Sequence, residues 1–203
     1  MIEGIEALKN EIGSLVKKRV KEFEENRKSN KKIFLELCFC ILTANFNAKK
    51  AIEIQEKIGD NFFYLSEEEL EKELKNLGHR FPKTRARYII KARKYKNLLK
   101  KIIENFKDEK MLREWLANNI KGIGYKEASH FLRNIGFKNL AIIDFHILEL
   151  LEKNKIIKRP KTLSKKKYLE IENILSQIGK KLNLSLAELD LYLWYMETGK
   201  ILK

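Results

Sequence analysis

The stretch Ile120-Lys-Gly-Ile-Gly-Tyr-Lys-Glu-Ala-Ser129 decides the reading of this chain. Two glycines flank one apolar residue between two segments of helical periodicity. The first, Met111 to Asn118, carries Leu112, Trp115 and Leu116; the second, Tyr125 to Asn134, carries Ala128, Phe131 and Leu132. Such a turn lets main-chain N–H groups approach an anion closely, because neither Gly122 nor Gly124 has a Cβ in the way. The helix that opens near Tyr125 turns its positive dipole end toward the same anion. In ordinary use the same glycines make a helix–helix turn with a C-cap. Lys126 lies in the first turn of that helix, where the dipole disfavours a cation by about 0.3–1 kcal/mol. Dipole and partial burial together favour the neutral amine, which is a nucleophile; the plain reading is one surface lysine among many.

Helix signals continue on both sides of this turn. Lys31 to Ala44 spaces Phe34, Leu37, Cys38 and Ile41 at helical intervals, and Ser66 with Glu69 makes a capping box before Leu70, Leu74 and Leu77, stopped by Gly78. Pro82 fits the first turn of a helix expected to run through Leu99. Ser164 opens a long helix, and Ser185 with Glu188 forms a second capping box. Leu140 to Ile143 is an apolar run short enough to be a single strand. Asp144 follows it as an N-cap, with His146 two residues on, placed to bind phosphate, to cap or to pack. A carboxylate at the end of a buried apolar run can also stabilise a developing cation in a cleft. No alternating strand pattern of useful length, fixed repeat or flexible linker occurs. The expectation is an all-α chain of roughly ten helices.

With 43 Lys plus Arg against 28 Asp plus Glu in 203 residues, the formal net charge is +15. That excess runs along the whole chain, so a folded basic surface and a polyanionic partner are expected, nucleic acid before any membrane. A Lys/Glu-rich chain with only Gln55 and Gln177 as glutamines also suits heat adaptation. Cys38 and Cys40 fit neither a disulfide framework nor a zinc spacing. No apolar run reaches membrane-spanning length, and Met-Ile-Glu-Gly-Ile-Glu lacks a signal peptide's basic start. A soluble, intracellular, cytoplasmic protein associated with the nucleoid is expected.

Taken together, Gly122-Ile-Gly124, Lys126 and Ile143-Asp144-Phe-His146 resemble the helix-hairpin-helix DNA glycosylases. Leu42-Thr-Ala-Asn45, Leu77-Gly-His-Arg-Phe81, Arg85-Ala-Arg87-Tyr88 and Leu191-Tyr-Leu-Trp194 through Lys203 extend the likeness to the archaeal-type (type 2) 8-oxoguanine DNA glycosylases. The absence of cysteine after Cys40 leaves no ligands for the C-terminal iron–sulfur cluster of related branches. Two positions depart from the family pattern: Lys121 stands where proline is common, and Phe145 where a basic residue is expected.

The resemblance implies two helical lobes. Residues 30–140 would form one, with the hairpin at about 112–136; residues 1–29 and 141–203 would form the other, with the DNA cleft between them. It implies a bifunctional enzyme of base-excision repair, acting as a monomer on double-stranded DNA containing oxidised guanine. Lys126 would be the nucleophile and Asp144 the electrostatic partner. Trp194 and Lys203 would meet the flipped base, and Asn45 the unpaired cytosine. Phe81 would be either a second stacking face or the wedge that fills the gap. Gly122, Gly124, His146, Arg80, Arg85 and Arg87 would contact DNA. No catalytic metal or cofactor is implied; a monovalent cation at the hairpin carbonyls would bridge to phosphate. The alternatives are a glycosylase for another oxidised base, or a non-catalytic helix-hairpin-helix DNA-binding module, which would need neither Lys126 nor Asp144.

Overall fold

The computed structural model describes residues 1–203. It contains eleven α-helices and no strand: α1 (Ile2–Asn26), α2 (Asn30–Thr43), α3 (Ala48–Ile58), α4 (Glu67–Asn76), α5 (Pro82–Ala92), α6 (Leu99–Glu104), α7 (Glu109–Asn119), α8 (Tyr125–Asn134), α9 (Phe145–Lys153), α10 (Lys165–Lys181) and α11 (Leu186–Thr198). Two short 3₁₀ turns, Gly59–Phe63 and Arg93–Tyr95, complete the regular structure. No helix is long and apolar enough to cross a membrane.

Side-chain caps explain most of the helix starts. Ser29, Asn47, Ser66, Asp108, Asp144, Ser164 and Ser185 each accept a hydrogen bond from the first turn of the helix that follows. Both capping boxes read from the sequence form. Gly78, at φ +76°, ends α4 as the sequence predicts: its N–H bonds Lys75 O and that of His79 bonds Leu74 O.

Two expectations are corrected. The helix opened by Pro82 does not continue to Leu99. It breaks after Ala92, and α6 starts afresh with the Lys100 N–H bonded to Asn30 Oδ1 at 2.9 Å, a cap from far away in sequence. The run Leu140–Ile143 is extended but joins no sheet. Its N–H groups at Ala141 and Ile143 bond side chains instead, Glu172 Oε2 at 3.0 Å and the Tyr168 hydroxyl at 3.3 Å.

The apolar interior is divided into two cores. One gathers residues from Ile33 to Leu140; the other combines α1 with residues from Ala141 to Leu193. The extended run crosses from the first to the second between Leu140 and Ala141. Polar ties fasten the two together. Arg113 of α7 grips Glu172 of α10 through both terminal nitrogens, at 2.5 and 3.0 Å. Both side chains are nearly fully buried, so the pairing is what makes either charge tolerable there. Arg133 of α8 likewise pairs with Asp190 of α11.

Candidate active site

A cavity of about 610 Å³ opens where the two cores meet. That is the size of a small-molecule site. Lys126, Asp144, His146, Trp194, Lys203 and Asn45 all line it, although they lie up to 158 positions apart in sequence, from Asn45 to Lys203. The fold therefore gathers every candidate nucleophile, electrostatic and base-contacting residue into one space, with the exception of Phe81.

Each is placed by an identifiable local cause. Lys126 projects from the first turn of α8 because Gly122 turns the chain at φ +86°. A Cβ at Gly122 would stand 2.4 Å from Tyr88 Cδ2, so the hairpin packs against α5 only with glycine there. Neither the Gly122 nor the Gly124 N–H has an acceptor in the protein, which leaves both donors open at the start of α8. Asp144 caps α9, accepting the Ile147 N–H at 3.0 Å through Oδ1. Lys126 does not bond Asp144; its Nζ pairs with Glu127 Oε1 at 3.0 Å. The His146 ring meets the Trp194 ring edge-on at 5.4 Å and lies 4.2 Å from that of Phe145. The Trp194 indole N–H is buried and has no protein acceptor. Asn45 sits in left-handed backbone, φ 56°, in the turn between α2 and α3, a conformation asparagine tolerates.

Lys203 is held firmly. Its ammonium bonds Glu36 Oε1 at 2.8 Å and Gln55 Oε1, and lies 4.7 Å from the centre of the Phe39 ring. From Glu36 a chain of polar contacts leads back to Arg133 and Asp190, which also line the cavity. Glu36 Oε2 accepts from Asn134 Nδ2 at 3.0 Å, Asn134 Oδ1 accepts from Arg133, and Arg133 pairs with Asp190. Burial, outweighing Arg133 and aided by the repulsion of Asp144, pushes the Asp190 carboxyl up to about 6. His130, one turn after Lys126, also lines the cavity. Burial first, then the charges of Arg133 and Lys126, hold its imidazole well below the usual histidine range.

The remaining candidates lie outside the cavity. Phe81 is the N-terminal cap position of α5, half-buried, with its N–H on His79 Nδ1 at 3.0 Å. It is not a wall of the cavity. Arg80 and Arg87 are exposed, flanking the Phe81 and Tyr88 rings. Arg85 departs from the expected DNA contact: it is 7% exposed and its guanidinium donates to Ala44 O. It braces the Asn45 turn from below. His79 does the same, with Nε2 3.1 Å from Leu42 O and its ring centre 4.1 Å from that of Phe46, the two rings tilted by 31°.

Glu36, Gln55, Glu127, His130, Arg133 and Asp190 are not legible as site residues in the sequence. Each carries an ordinary helical spacing, and only the packing of α2, α3, α8 and α11 around one space reveals them. Cys38 and Cys40 are buried free thiols in the first core.

Comparison with known proteins agrees with this geometry. The family model described as 8-oxoguanine DNA glycosylase matches residues 16–184. The 8-oxoguanine DNA glycosylase/AP lyase of Methanocaldococcus jannaschii is 61% identical, over 100% of this chain and 99% of its own length. That of Korarchaeum cryptofilum is 55% identical, over 95% and 92%. The crystal structure of the M. jannaschii 8-oxoguanine glycosylase/lyase in complex with 15mer DNA containing 8-oxoguanine superposes with a TM-score of 0.96, covering 100% of this chain and 99% of that one at 60% identity. Match length, identity and superposition all point one way, and the chain belongs to the helix-hairpin-helix 8-oxoguanine DNA glycosylase family.

Proposed function

We propose that this protein removes 8-oxoguanine from duplex DNA and then nicks the strand at the abasic site, with Lys126 as nucleophile. The observation that carries the reading is one cavity lined at once by Lys126, Asp144 and Trp194. A base stacked in a duplex hides its C1′, so the damaged nucleotide must swing out into such a space. The Lys126 amine attacks C1′ as the bond to the base breaks. Asp144 stabilises the positive charge that develops on the sugar. The sugar ring opens to a Schiff base on Lys126, the imine acidifies the C2′ proton, and loss of that proton expels the 3′ phosphate. A binding module would need no such lysine and carboxylate.

Trp194 supplies the stacking surface for the flipped base. Lys203 reads the lesion with its main chain, because its ammonium is already held by Glu36 and Gln55. 8-Oxoguanine differs from guanine in having a C8 carbonyl and a proton on N7, and a main-chain oxygen accepts that proton. Asn45 addresses the unpaired cytosine and Phe81 fills the gap, since His79 and Arg85 hold their two loops side by side. In this reading the protein acts as a monomer on chromosomal DNA.

Borohydride trapping tests this on duplexes carrying 8-oxoguanine, thymine glycol or uracil. Wild-type protein is expected to trap 8-oxoguanine DNA fastest, and Lys126→Gln to bind without trapping or base release. Trapping of another lysine in Lys126→Gln, at the wild-type rate, would overturn the assignment. Faster trapping on thymine glycol would move the substrate to oxidised pyrimidines.

A further inference from the structure

The segment from Lys153 to Lys167 joins the end of α9 to the start of α10 and has no part in the chemistry above. Eight of its fifteen residues are Lys or Arg, and none is Asp or Glu. Three of those cations have acidic partners: Lys153 on Glu149, Lys165 on Glu114 and Lys167 on Glu170. The other five, Lys155, Lys158, Arg159, Lys161 and Lys166, are exposed and pair with no carboxylate. Ile156, Ile157 and Leu163 meanwhile turn inward and pack on the second core. Apolar anchors on one side and unpaired cations on the other make this an ordered basic surface.

Its position ties it to the cavity. Leu163 and Phe145 are both cavity walls. Phe145, beside Asp144, is 52% exposed, and the Arg159 guanidinium lies 5.8 Å from its ring centre. At the other end Lys165 reaches Glu114 of α7, the first helix of the hairpin. The segment thus runs along the edge of the cavity and returns toward the hairpin. Side chains of this kind, unpaired and fully hydrated, suit the phosphates of a nucleic-acid backbone.

We infer that residues 155–161 form a second DNA-backbone contact, separate from the hairpin, that grips phosphates of the duplex flanking the flipped nucleotide. The inference rests on the reading that the cavity receives a nucleotide from duplex DNA. In that arrangement the hairpin and the α9–α10 segment hold the duplex from two sides of the cavity mouth. Phe145 lies between them, where its exposed ring meets the DNA and not solvent.

The test measures affinity against salt concentration for a duplex carrying a tetrahydrofuran abasic analogue. Two triple variants remove equal charge: Lys158→Gln/Arg159→Gln/Lys161→Gln, and Lys17→Gln/Lys18→Gln/Lys21→Gln on α1, whose residues do not line the cavity. All six side chains are exposed, and melting temperatures verify that both variants fold. The slope of log affinity on log salt falls by about 0.9 for each phosphate that the protein no longer neutralises. The 158–161 triple is expected to lose between one and three such steps and to bind on the order of ten-fold more weakly near physiological salt, while the α1 triple keeps the wild-type slope. If both triples weaken binding equally, or the first keeps the wild-type slope, the segment is not a DNA contact. Failure of the underlying reading would show separately, as wild-type protein that does not bind the duplex or as Lys126→Gln that still traps.

Discussion

Lys203 Nζ lies 2.8 Å from Glu36 Oε1, joining the tail after α11 to the middle of α2. Glu36 is 5% exposed and has no other cation partner. A buried carboxylate stripped of its partner is strongly destabilising, by about 3–5 kcal/mol. Lys203 keeps some solvent exposure, so Lys203→Ala is expected to cost toward the lower end of that range, about 3 kcal/mol. Adding Glu36→Gln should recover much of the loss, because the amide needs no counter-charge. Denaturant unfolding of the two variants decides it; a double variant no more stable than Lys203→Ala would remove the ion pair from the account. In activity, deletion of Lys203, which removes its main-chain oxygens as well as the ammonium, should slow 8-oxoguanine release while leaving abasic-site nicking largely intact, since Lys126 is untouched.

Asp144 serves two purposes that one substitution separates. Asn keeps the size and the oxygen that accepts the Ile147 N–H, so α9 stays capped. It lacks the charge that matters once C1′ becomes cationic. Asp144→Asn should therefore melt near the wild-type temperature and lose on the order of 10²-fold or more in single-turnover base release. A clear drop in melting temperature with near-normal base release would reduce Asp144 to a cap.

The two hairpin glycines should respond differently to alanine. Gly122 has φ +86° and its Cβ would strike the Tyr88 ring at 2.4 Å. Left-handed backbone alone costs a non-glycine residue about 1–2 kcal/mol, and the collision must also push the hairpin off α5. Gly124 has φ −98°, and a Cβ there would meet only the Glu127 carboxylate at 3.4 Å. Gly122→Ala should lower both the melting temperature and duplex affinity, whereas Gly124→Ala should change stability by no more than about 0.5 kcal/mol. Equal losses at the two positions would mean that the Tyr88 contact does not set the hairpin.

What the sequence announces, and what it hides, follows from the range of the interactions involved. Caps act within four residues, so Ser66, Asp144 and Ser185 can be read directly, as can the hairpin between α7 and α8. The break after Ala92 cannot, because the cap that restarts α6 comes from Asn30, seventy positions away. Lys126, Asp144, Trp194 and Lys203 are legible because each stands in a short motif that resembles a family pattern. Arg85 misleads for the same reason. Its motif suggests an outward cation, while the buried carbonyl of Ala44 draws it inward. Glu36, His130 and Asp190 carry no motif; their burial depends on helices far apart in the chain.

His130 gives the fold a pH dependence with a definite sign. Its imidazole is held well below the usual histidine range, by burial first and then by Arg133 and Lys126. Lys203 adds opposing effects, a main-chain hydrogen bond that favours the charged ring and an ammonium that disfavours it. In the unfolded chain the same ring protonates near pH 6.5. Above that pH it is neutral in both states and contributes nothing to the pH dependence. As pH falls through 6.5 the unfolded state takes up a proton that the folded state refuses, so stability declines until the folded ring also protonates, by at most about 1.4 kcal/mol per pH unit. Asp190 acts in the opposite sense. Its carboxyl, raised to about 6 from 3.8, keeps a proton in the folded protein that the unfolded chain has released, so its contribution falls as pH rises through that window. Comparing wild type with His130→Gln cancels Asp190, which both proteins retain. The wild-type melting temperature should fall more between pH 7 and pH 5 than that of His130→Gln. Parallel curves would show that the imidazole is not kept neutral inside the cavity wall.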